Sequence, residues 1–233
     1  MDTKLIRQRA RANLAGNWGV SIGVAVVACL LGGMVTGTSF FPEINEEVPL
    51  PFLQEIAAVL NRGLKIGDVT FNYRAGIFGL AAFIIGGVLE LGHAQFLLKQ
   101  HDGKNPEFND LFSQFDRFGA GFAQQFLREL YTLLWSLLLV IPGIIKSLSY
   151  SMTPFIMAED PSLTASEAIS RSKALMDGHK MDLFILHLTF FGWNLLCGLT
   201  LNLGYIALNP YTNAALAAFY RQIQAEARYT AVE

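Results

Sequence analysis

The sequence predicts an all-α polytopic membrane protein with about six transmembrane helices, amphipathic interfacial helices between them, and both termini on the cytoplasmic side. Three observations carry this expectation. Of the 233 residues, 52% are hydrophobic and 15% charged, with a mean hydropathy of +0.38, more apolar than a water-soluble domain requires. A ruler of about 20 apolar residues per membrane helix finds six runs. The basic residues are shared unequally between the connections, which gives an orientation. The formal charge of −2 excludes a whole-protein field that would recruit nucleic acid. The partners expected are therefore membrane lipids, with a protein partner or self-association beside them.

The first run, about 18–38, is longer than the apolar region of a signal peptide and has no small-x-small cleavage site, so it reads as a retained span. The second covers about 74–98. The third and fourth, about 126–141 and 144–158, flank Pro142 and Gly143. As one helix, Phe126 to Ala158 would reach about 50 Å at ~1.5 Å per residue, against a hydrocarbon core of about 30 Å. A hairpin is expected instead. Pro142 lacks a backbone donor, Gly143 tolerates turn dihedrals, and Lys146 would extend its ammonium to the outer headgroups. The fifth and sixth spans cover about 183–201 and 205–221. The whole chain, 1–233, reads as a single integral membrane domain.

Charge placement tests this order. Lys4, Arg7, Arg9 and Arg11 precede the first span; Lys99, Lys104, Arg117 and Arg128 lie between the second and third; Arg171, Lys173 and Lys180 between the fourth and fifth; Arg221 and Arg228 at the end. Of the 17 basic residues only Arg62, Lys65, Arg74 and Lys146 fall on the other side, the positive-inside pattern.

Three connections are expected to be amphipathic. Phe108, Leu111, Phe112, Phe115, Phe118 and Phe122 recur at helical spacing and predict a phenylalanine stripe in the inner headgroup region. Thr164 and Glu167 have capping-box spacing, Ala165, Ala168, Ile169, Ser172 and Met176 share a face, and Gly178 is placed to end that helix. Arg171 and Lys173 lie on the same helix, which is the expected contact surface for a partner. Phe52, Ile56, Val59 and Leu60 make a weaker third stripe.

Several stretches, "LLLVIPGIIKSLSYSMTPFIMAEDP", "SEAISRSKALMDGHKMDLF", "FFGW" and "NPYTNAALAAFY", resemble a family of bacterial membrane proteins catalogued as domain of unknown function 975. The likeness is dense from about Trp135 to Tyr220 and patchy before it, through "IRQRARANLAGNW" and "DLFSQF". A looser likeness extends to the membrane domain of some glycerophosphodiester phosphodiesterases. The resemblance implies a multi-span inner-membrane protein and brings no activity or catalytic residue with it.

Ionisable groups inside spans are costly and are the first candidates for function. Glu90 and His93 stand three apart on the second span, so they share a face. They read as an interhelical polar clamp, or as part of a proton- or cation-linked pathway. "ELGH" also matches one arm of a di-metal bundle site, whose second arm and further glutamates are missing from the spans. No metal or other cofactor is expected. His187 and Asn194 are seven apart on the fifth span, and Asn209, Pro210 and Asn213 are expected to interrupt the sixth. Broken helices of that kind expose backbone in transporters, while amides and histidines also simply join helices. Gly19 with Gly23, and Gly33 with Gly37, form small-xxx-small steps suited to close packing. Cys29 and Cys197 read as small hydrophobes. No metalloprotease, serine-hydrolase or P-loop motif is present, so the leading expectation is a non-enzymatic membrane protein acting through partners or lipids. The alternative is a small transporter using the polar residues of spans two, five and six.

Overall fold

The computed structural model describes residues 3–33, 64–66, 69–71, 73–199 and 204–230. It is helical almost throughout: α1 (Thr3–Leu14), α2 (Trp18–Gly33), α3 (Tyr73–His101), α4 (Phe118–Leu138), α5 (Val140–Tyr150), α6 (Thr153–Glu159), α7 (Ala165–Leu175), α8 (Lys180–Leu199) and α9 (Tyr205–Thr230). A two-stranded antiparallel ribbon, β1 (Leu64–Ile66) and β2 (Val69–Phe71), pairs Leu64 with Phe71 and Ile66 with Val69. The chain forms two compact units, one of Met1–Val26 with Gly87–Glu233 and one of Val27–Gly86. The stripe of Phe52, Ile56, Val59 and Leu60, together with Gly37, lies outside the described residues, and so does the end of the first expected span.

The core of the larger unit gathers around α9, whose Ala214, Ala215, Ala217, Ala218, Phe219, Tyr220 and Ile223 are buried. Runs of alanine let neighbouring helices approach closely. One of them, α1, was not foreseen as a helix. Ile6, Ala10 and Leu14, four residues apart, form its buried strip, and α1 packs along α9 and touches α8. Its basic residues had read only as a topology signal.

The hairpin expected at the proline exists, but its turn is earlier. Leu139 is extended, with φ −161° and ψ 143°, and it alone separates α4 from α5. Pro142 therefore sits in the first helical turn, where its missing donor costs nothing. Gly143 serves contact, not turn dihedrals: a Cβ there would stand 2.9 Å from the Ser136 Cα on the opposite helix. The Lys146 ammonium lies 4.6 Å from the centre of the Trp135 ring, a cation–π contact. Beyond α5 the chain kinks at Ser151 and Met152, with Pro154 opening α6.

Other expectations are corrected in the same way. The phenylalanine stripe is not one helix but two 3-10 turns, Phe108–Phe112 and Phe115–Arg117, running into α4. Leu111 is fully buried there, because the turn docks on α3 at Gly92, where a Cβ would stand 2.6 Å from the Leu111 carbonyl carbon. Phe108, Phe112, Phe115 and Phe118 remain exposed, with adjacent rings 5.9 and 5.8 Å apart. Pro210 does not interrupt its helix, since α9 runs continuously from Tyr205 to Thr230. Open space surrounds the positions a Cβ would take at Gly19 and Gly23; the close glycine crossing falls instead between Gly87 of α3 and Gly121 of α4, where a Cβ on Gly87 would come 2.7 Å from the Gly121 carbonyl carbon. Cys197 is buried beside Gly204. Among the described residues no helix is long and apolar enough to cross a membrane.

Candidate functional site

The glycine crossing places a polar cluster between α3 and α4. Gln124 and Arg128 are four apart on α4 and thus face the same way. Arg128 Nη1 donates to Glu90 Oε1 at 2.7 Å, and Gln124 Nε2 donates to Glu90 Oε2 at 3.0 Å. The Arg128 side chain retains 17% of its exposure and that of Glu90 35%. His93 stands one turn further along α3, within electrostatic reach of Glu90. The Oε1 atoms of Gln124 and Gln125 are buried with no hydrogen-bond partner; Gln124 borders Glu90 and Gln125 lies against Gly87 at the helix crossing. Sequence reasoning found Glu90 but missed Gln124 and Arg128, which only the crossing brings opposite it.

A second cluster ties helix ends together. Glu159, at the end of α6, accepts from the Tyr220 hydroxyl at 2.6 Å, Arg221 Nη1 at 2.7 Å and Gln224 Nε2 at 2.7 Å. Arg221 also forks onto Asp102, just past α3, at 3.0 and 2.6 Å. Burial pushes the Glu159 carboxyl up, but the hydrogen bonds from Tyr220, Arg221 and Gln224 with the Arg221 charge outweigh it and hold the group below its usual value. Nearby, Asn13 Nδ2 donates to His101 Nδ1 at 2.8 Å, joining α1 to α3. Burial lowers the His101 pKa, with Arg221 and Arg9 adding to the effect and Asp102 opposing it. Lys99 pairs with the buried Asp110 at 2.5 Å, whose other oxygen accepts from the Glu107 backbone N–H at 2.9 Å. Arg117 reaches the Met157 carbonyl at 3.1 Å.

The remaining candidates are placed elsewhere. His187 donates through Nδ1 to the Leu183 carbonyl at 2.9 Å, and Asn194 through Nδ2 to the Phe190 carbonyl at 2.9 Å. Both bonds stay within α8. Asn209 and Asn213 are half-buried on α9. Among the described residues no hydrogen bond or ion pair joins these four to Glu90 or His93. Thr164 and Glu167 make the expected capping box: Thr164 Oγ1 accepts from the Glu167 N–H at 3.4 Å, and Glu167 accepts from the Thr164 N–H at 2.9 Å. Those backbone and hydroxyl bonds lower the exposed Glu167 carboxyl. Gly178 adopts φ +81° beyond the helix end, the left-handed conformation glycine tolerates. The apolar face of α7, however, is buried in the chain: Ala165, Ala168, Ile169, Ser172 and Met176 all lie in the core, and Ser172 donates to the Ser149 carbonyl at 2.8 Å. That face cannot meet a partner or the headgroup region. Arg171 and Lys173 are exposed on the opposite side, Arg171 paired with Asp160 at 3.2 Å.

Residues 136–227 match the model of the family described as "Protein of unknown function (DUF975)". The chain's likeness to that family is shown over this stretch, which is less than half of its length. The match covers α5 to α9, including the hairpin partner helix and the Glu159–Arg221 network, and leaves Glu90 and His93 outside it. No curated protein and no solved structure matches the chain.

Proposed function

We propose that this chain is a non-enzymatic, multi-pass protein of a bacterial cytoplasmic membrane that works through lipid or protein contacts at the inner face. The observation that carries the reading is how the outward surface of α4, α5 and α8 is made. Leu137, Ile141 and Phe191 are 75%, 72% and 65% exposed, with Leu133, Leu134, Leu139, Ile144, Leu188, Leu195 and Leu196 around them. Five polar side chains on the same helices turn back to carbonyls of their own helix: Ser136 to Thr132, Ser147 to Ile144, Thr189 to Leu186, and His187 and Asn194 as above, while Glu129 stays exposed beside Arg128. Such bonds also form in soluble helices; in hydrocarbon they are needed, because an unpaired polar group there costs several kcal/mol.

Average hydropathy of a whole helix counts its inward polar residues too. Gln124, Gln125 and Arg128 lower the value for α4 while facing Glu90 and the core, so they do not meet lipid. At 21 residues, α4 spans about 31 Å, and Val140 to Ala158 about 28 Å of kinked helix, close to a core of about 30 Å.

The first test is carbonate extraction of native membranes, followed by labelling of a cysteine introduced as Lys146→Cys in a chain also carrying Cys29→Ala and Cys197→Ala. Retention in the pellet with labelling by an impermeant outside reagent fits the reading. Release by carbonate, or labelling only from the cytoplasmic side, overturns the membrane placement or the hairpin orientation respectively.

A second reading, a small proton- or cation-linked permease, draws on the unpartnered acceptor Gln124 Oε1 beside Glu90. It predicts flux in proteoliposomes that Glu90→Gln abolishes. Its path would have to run between α3 and α4, because His187 and Asn194 are bonded to α8 itself.

A further inference from the structure

The sequence TKLIRQRARANL of α1 contains four basic residues and no acid. Its buried strip is Ile6, Ala10 and Leu14. Arg7 and Arg11 each follow a strip residue by one position, about 100° around the helix, so they lie on one flank of the contact with α9, one turn apart. Arg9, three beyond Ile6, lies on the other flank.

On the first flank the structure leaves donors without acceptors. The Arg11 guanidinium carbon stands 5.4 Å from the centre of the Tyr211 ring on α9. Tyr211 is held in place by Phe190 of α8, edge-on at 5.3 Å and 85°. The Tyr211 hydroxyl is buried with no hydrogen-bond partner, and so is Arg7 Nε. Among the described residues Arg7 and Arg11 have no ion pair. Buried donors with no acceptor are expensive, and here one is Arg7 Nε on α1 and the other the Tyr211 hydroxyl on α9, whose ring lies against Arg11 one turn beyond Arg7. The complement is an oxyanion: it accepts from several donors at once, balances two guanidinium charges, and matches the planar fork of arginine.

We propose that Arg7, Arg11 and the Tyr211 hydroxyl form an oxyanion site on the α1–α9 face, and that its occupant is the phosphate of an anionic phospholipid. The choice of a lipid source rests on the membrane reading above; the site itself does not.

The test uses the full chain in a mild detergent, with thermal unfolding followed while short-chain phosphatidylglycerol, short-chain phosphatidylcholine or inorganic phosphate is titrated. Phosphatidylglycerol should raise the midpoint at concentrations where phosphatidylcholine does not. Arg7→Gln and Arg11→Gln should each weaken that response by about tenfold or more, the loss of a charged hydrogen bond. Arg9→Gln removes the same charge from the other flank and should leave the response within about twofold. If Arg9→Gln weakens it as much as Arg7→Gln, only surface charge is at work and the site is refuted; no response to either anion refutes it too. Protection by inorganic phosphate as strong as by the lipid, and lost in Arg7→Gln, keeps the site and overturns the lipid as its occupant. Carbonate release would sink the membrane reading without touching that last result.

Discussion

Replacing Gly92 with alanine adds one methyl group where the fold has no room for it. The new Cβ would stand 2.6 Å from the Leu111 carbonyl carbon and 3.0 Å from the Asp110 carbonyl oxygen. Both are backbone, so the clash is relieved only by lifting the 3-10 turn off α3. That movement exposes Leu111, now fully buried, at a cost of about 1.5–3 kcal/mol. It also loosens the Lys99–Asp110 pair, worth up to about 1 kcal/mol at its partial exposure. Alanine returns about 1 kcal/mol of helix propensity, leaving a net loss of about 2 kcal/mol. The assay is unfolding in a mild detergent, followed by circular dichroism, with Gly119→Ala as the matched control. Gly119 lies in the first turn of α4 with open space around its Cβ position, and its replacement should be neutral or stabilising by up to about 1 kcal/mol. If Gly92→Ala proves as stable as Gly119→Ala, the turn does not dock on α3 as described.

Three further outcomes are expected. In a double-mutant cycle on Glu90→Gln and Arg128→Gln, each single change should cost about 2 kcal/mol, because it strands a half-buried partner, and the two should couple by at least ~0.5 kcal/mol; additive losses would mean the pair is not formed. Thr164→Ala should destabilise by about 1 kcal/mol through loss of the cap on α7, read as a shift in unfolding midpoint, and an unchanged midpoint would exclude the capping box. Glu159 is held below its ordinary value of 4.5, so the folded state binds its proton less readily than the unfolded chain does. Its contribution is complete above pH ~4.5 and is lost as pH falls through the folded value; Glu159→Gln should lower stability at neutral pH and flatten the acid limb of a stability–pH curve, and an unchanged acid limb would refute the assignment.

Much of the helical outline was legible in the sequence because it follows from local rules. The capping box at Thr164 and Glu167 and the helix-ending Gly178 depend on residues within a few positions of one another. The buried set Ala165, Ala168, Ile169, Ser172 and Met176 is a matter of 3.6-residue periodicity. What that face packs against was not legible, since an amphipathic pattern states that a face is covered and is silent on the cover. Here it is α4, α5, α6 and α9, so the surface that had seemed free for a partner is part of the core. The same limit applies at Pro142: proline marks a helix terminus without saying whether it is the end of one helix or the first turn of the next.

The candidate site divides along the same line. Glu90 and His93 stand out as ionisable residues in an apolar run, a signal that needs no partner. Their surroundings, Gln124 and Arg128, are more than 30 positions away, and only the approach of Gly87 to Gly121 makes them neighbours. Asp102, Glu159 and Arg221 are likewise ordinary polar residues until the ends of α3 and α6 meet the side of α9. By itself the sequence determined the helical class, the apolar runs, the sign asymmetry of the connections and the capped helix, because hydrophobic periodicity, charge and capping act over short separations. The tertiary structure alone decided that α1 lies on α9 with Arg7 and Arg11 on one flank, that α7 is buried, and that Glu90 meets Arg128. Those outcomes depend on which helices come within van der Waals reach, and small residues far apart in the chain set that reach.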